Sequence, residues 1–201
     1  MHFNLKENLF IYFIITLIFS VGIALGALNV KGMTYSDKQN LFIYLNNFFQ
    51  VVNNEKINSF SIFIRILKNN LLMIILIWIL SFTYFGFLFS ILILLYKGFS
   101  LGFTIAFILQ SFGLKGFLFI ILSLLPQNLF YIPAFLFICS ISFIYSLSLF
   151  KKPKNLTVNG NFLNFSFNML FLLLFVFLGN VVESFISPYI IKLLSTYLAI
   201  Q

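Results

Sequence analysis

Long stretches without a charged residue dominate the chain. Five of them are long enough, or nearly so, to cross a bilayer: Asn8–Val30, Asn69–Tyr96, Gly98–Leu114, Gly116–Phe150 and Asn155–Val182. A helix rises about 1.5 Å per residue, so roughly 20 apolar residues cover a ~30 Å hydrocarbon core. The first stretch follows Lys6 and Glu7 and has the outline of a signal peptide. Its apolar part is long for one, and Leu25-Gly26-Ala27 makes a poor cleavage site, so an uncleaved first span is expected. The third stretch, at 17 residues, lies at the lower limit for a span. It either crosses alone or pairs with the next short helix as a partly re-entrant hairpin, and a crossing is the preferred reading. The fourth would form a helix of about 52 Å, more than a bilayer needs. Pro126 and Pro133 interrupt it, because proline disfavours helical geometry at the residue before it. The pattern predicts a short helix over Gly116–Leu125, a break at Pro126-Gln127-Asn128, and a full span over Leu129–Phe150.

Between the first two spans lies the only sizeable polar segment, residues 31–68. Ser36 with Gln39 three residues later has the form of a capping box. Leu41, Leu45, Phe48, Phe49 and Val52 follow at helical spacing, with Asn46, Asn47, Gln50 and Asn53 on the other face. After Asn53-Asn54-Glu55-Lys56 a second helical set appears: Ile57, Phe60, Ile64 and Leu67. The segment therefore predicts two amphipathic helices, lying in the interface or packed on the bundle. The Leu41–Val52 face serves equally well to pack on the chain's own spans or to dock a partner.

Composition turns this pattern into a class. Of the 201 residues, 62% are hydrophobic and 8% charged, with a mean hydropathy of +1.10. Ordinary globular domains carry about 25% charge. No soluble chain of this size could hide so much apolar surface, which excludes a soluble enzyme or a nucleic-acid-binding domain. The expected fold is all-α: a single polytopic membrane domain over residues 1–201, embedded in the lipid bilayer of the cell membrane. The net charge of +8 is carried by cations placed singly at the ends of apolar stretches, where lipid headgroups lie. With five crossings, Lys6, Lys97, Lys151, Lys152 and Lys154 fall on one side, and seven cations fall on the other. That balance gives no orientation.

Material for catalysis is scarce. His2 is the only histidine, Cys139 the only cysteine, and Glu7, Asp37, Glu55 and Glu183 are far apart. No glycine-rich phosphate loop occurs, so neither enzymatic activity nor a metal or other cofactor is expected. The small residues are better placed. Gly22 and Gly26 stand four apart, and Gly98, Gly102, Ala106 and Gln110 continue that spacing along one helix face. Helices in lipid associate where missing side chains let backbones approach, so this stripe predicts helix packing within the chain, with homo-oligomerisation as its other use. Pro126, Gln127, Asn128 and Pro133 mark a helix break whose amides cap freed carbonyls or face a substrate or partner. Glu183, before Pro188, faces headgroup water or pairs with Lys192 or Lys115.

Taken in order, Lys97-Gly98-Phe99-Ser100-Leu101-Gly102-Phe103, Gly113-Leu114-Lys115-Gly116 and Leu125-Pro126-Gln127-Asn128-Leu129-Phe130-Tyr131-Ile132-Pro133 form a recognisable set. With the Gly22/Gly26 pair and Glu183-Ser184-Phe185-Ile186-Ser187-Pro188, the chain resembles the stage II sporulation protein M family over nearly its whole length. The resemblance implies a non-enzymatic membrane scaffold acting in endospore engulfment. Its implied partners are two peptidoglycan hydrolases, an amidase/endopeptidase and a lytic transglycosylase, held at the sporulation septum. It also implies a cytoplasmic N-terminus. The competing reading is a transporter or transporter permease subunit, which calls for polar or ionisable groups converging near the middle of the membrane.

Overall fold

The computed structural model describes residues 5–54, 58–151 and 158–198. Seven α-helices and two π-helical turns make up most of those residues. They are α1 (Leu5–Gly32), α2 (Tyr35–Asn54), α3 (Ser59–Leu80), α4 (Gly86–Phe119), α5 (Leu125–Lys151), α6 (Val158–Val181) and α7 (Ser187–Leu198). The π turns are Ile120–Leu124 and Val182–Ile186, and no strand occurs among the described residues. The fold class is all-α and multi-pass. Helices are the natural outcome for such apolar stretches, because lipid offers no partner to an unpaired backbone N–H or C=O.

The crossings follow from which residues meet. Gly22 lies against Leu95–Phe99 and Gly26 against Phe99–Phe103, so α1 and α4 run in the same direction. Ser142 meets Ser81 and Ser90, while Tyr131 meets Asn70, so α5 descends beside an ascending α4. Phe82 touches Phe162 and Phe165, and Asn180 touches Asn70, so α6 ascends again. The five crossings are α1, α3, α4, α5 and α6. The amphipathic α2 and the terminal α7 sit together on the side opposite the start of α1, where Phe49, Ile108, Phe112, Phe119, Ile120 and Leu194 form an apolar cluster. A larger core, built around Ile15, Ile77, Leu94, Ile138 and Val176, fills the bundle itself.

Three features differ from the sequence reading. First, Asn69–Tyr96 is not one span. A turn at residues 81–85 divides it, and the crossing is α3, which begins ten residues earlier at Ser59. The turn is polar where it matters: Thr83 Oγ1 donates to Leu80 O at 2.7 Å, and Ser146 Oγ of α5 donates to Thr83 O at 2.9 Å. Gly86 then packs directly on the Leu80 carbonyl, which leaves no room for a side chain. The second amphipathic set, with Phe60, Ile64 and Leu67, is therefore the first half of α3 and not a separate interfacial helix.

Second, the third and fourth stretches meet at Gly113, whose backbone (φ 55°, ψ −130°) ends the ascending part of α4. That left-handed φ suits glycine, which has no Cβ to clash. The kink brings Gly116 back against Ile108, so Gly98–Leu114 lies within a crossing helix that starts at Gly86.

Third, the chain does not open at Pro126-Gln127-Asn128. These residues form the first turn of α5, and the irregularity is the π turn just before them. Proline lacks an N–H and crowds the carbonyl four residues back, and a turn widened by one residue relieves both. Asn128 Nδ2 donates to Leu124 O at 2.8 Å, supplying a side-chain donor at the end of that turn. The same device recurs where Val182–Ile186 precedes Ser187-Pro188. Ser187 Oγ links the two helix starts that follow these turns by donating to Gln127 Oε1 at 2.7 Å. Pro133 sits exposed within α5 without interrupting it.

Candidate functional site

The glycine positions lie at the α1–α4 crossing. A Cβ on Gly22 would stand 2.7 Å from Leu95 O, and one on Gly98 would stand 2.5 Å from Phe19 O. At Gly26 and Gly102 the same atom would collide with the carbonyls of Phe99 and Ile23. Close backbone approach of this kind is how helices hold together in lipid. Ala106 continues the stripe half-buried, whereas Gln110 is exposed and lines a shallow cavity beside Tyr35, Lys38 and Phe42 of α2.

On α2 the structure separates residues that the sequence grouped. Phe49 is 3% exposed, within ring contact of Phe112 and Phe119, and Leu45 packs on the same cluster. Leu41 and Val52 are half-buried. Phe48 is 43% exposed, and with Ile43, Tyr44 and Val51 it forms a second, outward apolar face.

The densest chemistry lies elsewhere, at a point where four helices meet. Lys97 stands 11 residues into α4, about 16 Å along the helix axis. That places it well inside the bundle and removes it from the flanking cations. Its Nζ donates to Asn70 Oδ1 at 3.3 Å and lies 4.5 Å from the centre of the Phe135 ring. Asn70 Nδ2 donates to Asn180 Oδ1 at 2.7 Å, and its amide also lies 3.3 Å from the Tyr131 hydroxyl. That hydroxyl stands 2.7 Å from Asn180 Oδ1 and 2.5 Å from Glu183 Oε2, so its single hydrogen faces two acceptors. Asn70, Lys97, Tyr131, Asn180 and Glu183 thus form one chain of contacts across α3, α4, α5, α6 and the second π turn. Asn70 and Asn180 are buried; the other three are half-buried. The Nδ2 of Asn180 has no hydrogen-bond partner. Glu183 accepts from the Tyr131 hydroxyl.

Sequence reasoning missed this network for an identifiable reason. Hydropathy puts Lys97 at a flank because the turn at residues 81–85 carries no charge and is rich in aromatic residues. Asn70 and Asn180 each stand at the edge of a charge-free stretch, where an asparagine draws no attention. The usable signal was spacing: a span starting after the Ser81–Phe85 turn puts Lys97 mid-helix, where an unpaired lysine is costly.

Beside the network is a cavity of about 390 Å³ between α3, α4 and the start of α5. Asn69, Tyr96, Lys97, Ser100, Gln127 and Glu183 are among its lining residues. A second cavity, of about 570 Å³, opens between α2, α3 and α7, with Arg65 and Phe48 in its wall. Ile66, Leu124, Gln127 and Glu183 line both cavities. Polar groups therefore extend from the α2 side towards the centre of the bundle.

Comparison with known proteins gives the family. The family model SpoIIM, described as stage II sporulation protein M, matches residues 15–188. The chain belongs to this family. The match takes in the α1–α4 glycine crossing, the polar network and both π turns. As a family member, the chain has a role in sporulation implied for it. No curated protein and no solved structure matches it.

Proposed function

We propose that this chain is a non-enzymatic membrane scaffold that anchors peptidoglycan hydrolases at the sporulation septum during engulfment of the forespore. The observation that carries the reading is the division of labour on α2. Its inner face, through Phe49 and Leu45, seals the bundle, while Ile43 and Tyr44 face outward and Phe48 and Val51 stay exposed at the rim of the α2–α3–α7 cavity. An apolar helix face held rigidly outside the spans is a docking surface or an interfacial anchor. Because α1 crosses once, a cytoplasmic N-terminus would put α2 on the side where the wall lies.

Location is tested first, by an impermeant thiol reagent on Asn53→Cys with Cys139 replaced. Labelling in intact cells is expected, and labelling only after membrane rupture would defeat the proposal. Tyr44→Ser with Phe48→Ser should then disperse the hydrolases from the septum while leaving the membrane level of the protein unchanged.

A second reading, a transporter or permease subunit, draws on one observation: the convergence of Lys97, Asn70, Tyr131, Asn180 and Glu183 within the spans. Co-purification from sporulating cells separates the two. Wall hydrolases support the scaffold, and a nucleotide-hydrolysing subunit supports the permease.

A further inference from the structure

A lysine and a glutamate inside a bilayer would normally neutralise each other, since an isolated charge there is expensive. Lys97 and Glu183 lie within electrostatic reach of each other, yet among the described residues neither is a direct hydrogen-bond partner of the other. The direct contacts of Lys97 are the Asn70 amide oxygen and the Phe135 ring, neither of which carries a charge. Glu183 is held by the Tyr131 hydroxyl. An ammonium has three N–H donors, and the one hydrogen bond to Asn70 and the ring contact leave donor capacity unused.

Both charged groups line the same cavity of about 390 Å³. Its outer lip is made of Asn69, Tyr96 and Ser100, all exposed on the surfaces of membrane-crossing helices. Polar groups that face hydrocarbon need a polar occupant. The bilayer beside this lip supplies one class of molecule in abundance, and its polar end carries both a phosphate and an amine.

We propose that the groove between α3 and α4 binds the zwitterionic headgroup of an amine-bearing phospholipid, with the phosphate towards Lys97 and the ammonium towards Glu183. Because Asn70 and Tyr131 stand between the two groups, neither is held in direct contact with the other, and each can meet the opposite end of one headgroup. Ser100 and Tyr96 add hydroxyl donors on the phosphate side, and the lateral opening lets the acyl chains remain in the bilayer. The lining of this site includes no residue of α2, so either idea can fail without the other.

The test uses the full chain in nanodiscs made of equal parts phosphatidylethanolamine and phosphatidylcholine, followed by exchange into detergent and mass spectrometry of the retained lipid. Phosphatidylethanolamine should be retained in preference to phosphatidylcholine, whose methylated amine has no N–H to donate. Lys97→Gln should lower retention about tenfold, the worth of one hydrogen bond to a charged group. Glu183→Gln still accepts from Tyr131, and should abolish the preference for phosphatidylethanolamine over added phosphatidylglycerol. Ser100→Leu blocks the lip without touching the network, and should reduce retention at an unchanged unfolding temperature. Equal retention by wild type and the folded Ser100→Leu protein would overturn the site. Retention of phosphatidylglycerol as strong as that of phosphatidylethanolamine would overturn the role of Glu183. Displacement by inorganic phosphate, with no phospholipid retained, would overturn the lipid as the source of the phosphate.

Discussion

Lys97 and Gly98 are neighbours in sequence on the same helix, yet they belong to two regions of opposite design. Gly98 faces α1, where the contact consists of backbone against backbone and works because four side chains are missing. Lys97 faces α3 and α5, where the contact is a chain of amides, a phenol and a carboxylate. In lipid, hydrophobicity does not distinguish one helix partner from another, so association must come from close packing or from polar groups. α4 uses both, one on each face. The close-packed face tolerates no added atom at these four glycines. The polar face is looser, leaves an amide unsatisfied at Asn180, and borders a cavity. Rigidity lies on the α1 side and chemistry on the other.

This contrast can be broken most forcefully at Gly102. Gly102→Leu puts a side chain into the Ile23 carbonyl, which cannot withdraw without moving α1. A destabilisation of about 3 kcal/mol is expected, read as a lower unfolding temperature in detergent and a lower membrane level. Unchanged values would mean that α1 and α4 are not held by this contact.

The polar face should respond less. Asn70→Leu removes the amide that touches Lys97, Tyr131 and Asn180. Hydrogen bonds between helices in membranes are worth about 1–2 kcal/mol, so a loss of that size is expected in the same unfolding assay. Thiol-labelling rates at Ser100→Cys should rise as α3 loosens. A loss as large as that of Gly102→Leu would erase the distinction between the two faces.

The smallest effect concerns coupling. Gly98→Ala moves the α4 backbone away from Phe19 O, and the move carries Lys97 with it. Gly98→Ala and Lys97→Gln combined should therefore deviate from additivity by about 1 kcal/mol, as neighbours sharing a backbone shift do. Additive behaviour would show that the two faces respond independently.

Much of this was legible in sequence. Stretches of charge-free residues predict helices because lipid leaves the backbone no alternative, and the four-residue spacing of Gly22, Gly26, Gly98 and Gly102 is a local property that survives any arrangement of the bundle. The prolines also announced an irregularity near residue 126, although not that a π turn would absorb it on the N-terminal side. Register across the membrane was not legible. Where α3 ends depends on Ser146 reaching Thr83 from a helix some 60 residues away, and hydropathy cannot see that hydrogen bond.

Once that turn is placed, Lys97 moves from the rim to the interior, and Asn70, Tyr131, Asn180 and Glu183, separated by up to 113 residues, come within reach of one another. On α2 the same limit applies: helical periodicity groups Phe48 with Phe49, and only the presence of Phe112 and Phe119 decides which of the two is buried. The sequence by itself determined that the chain is a helical membrane protein, which family it resembles, and which helix faces can approach closely. These follow from properties of single segments: apolar length, helical period and the absence of a Cβ. The tertiary structure alone decided where charge is buried and which apolar face is left over, because both depend on which distant helix supplies the partner.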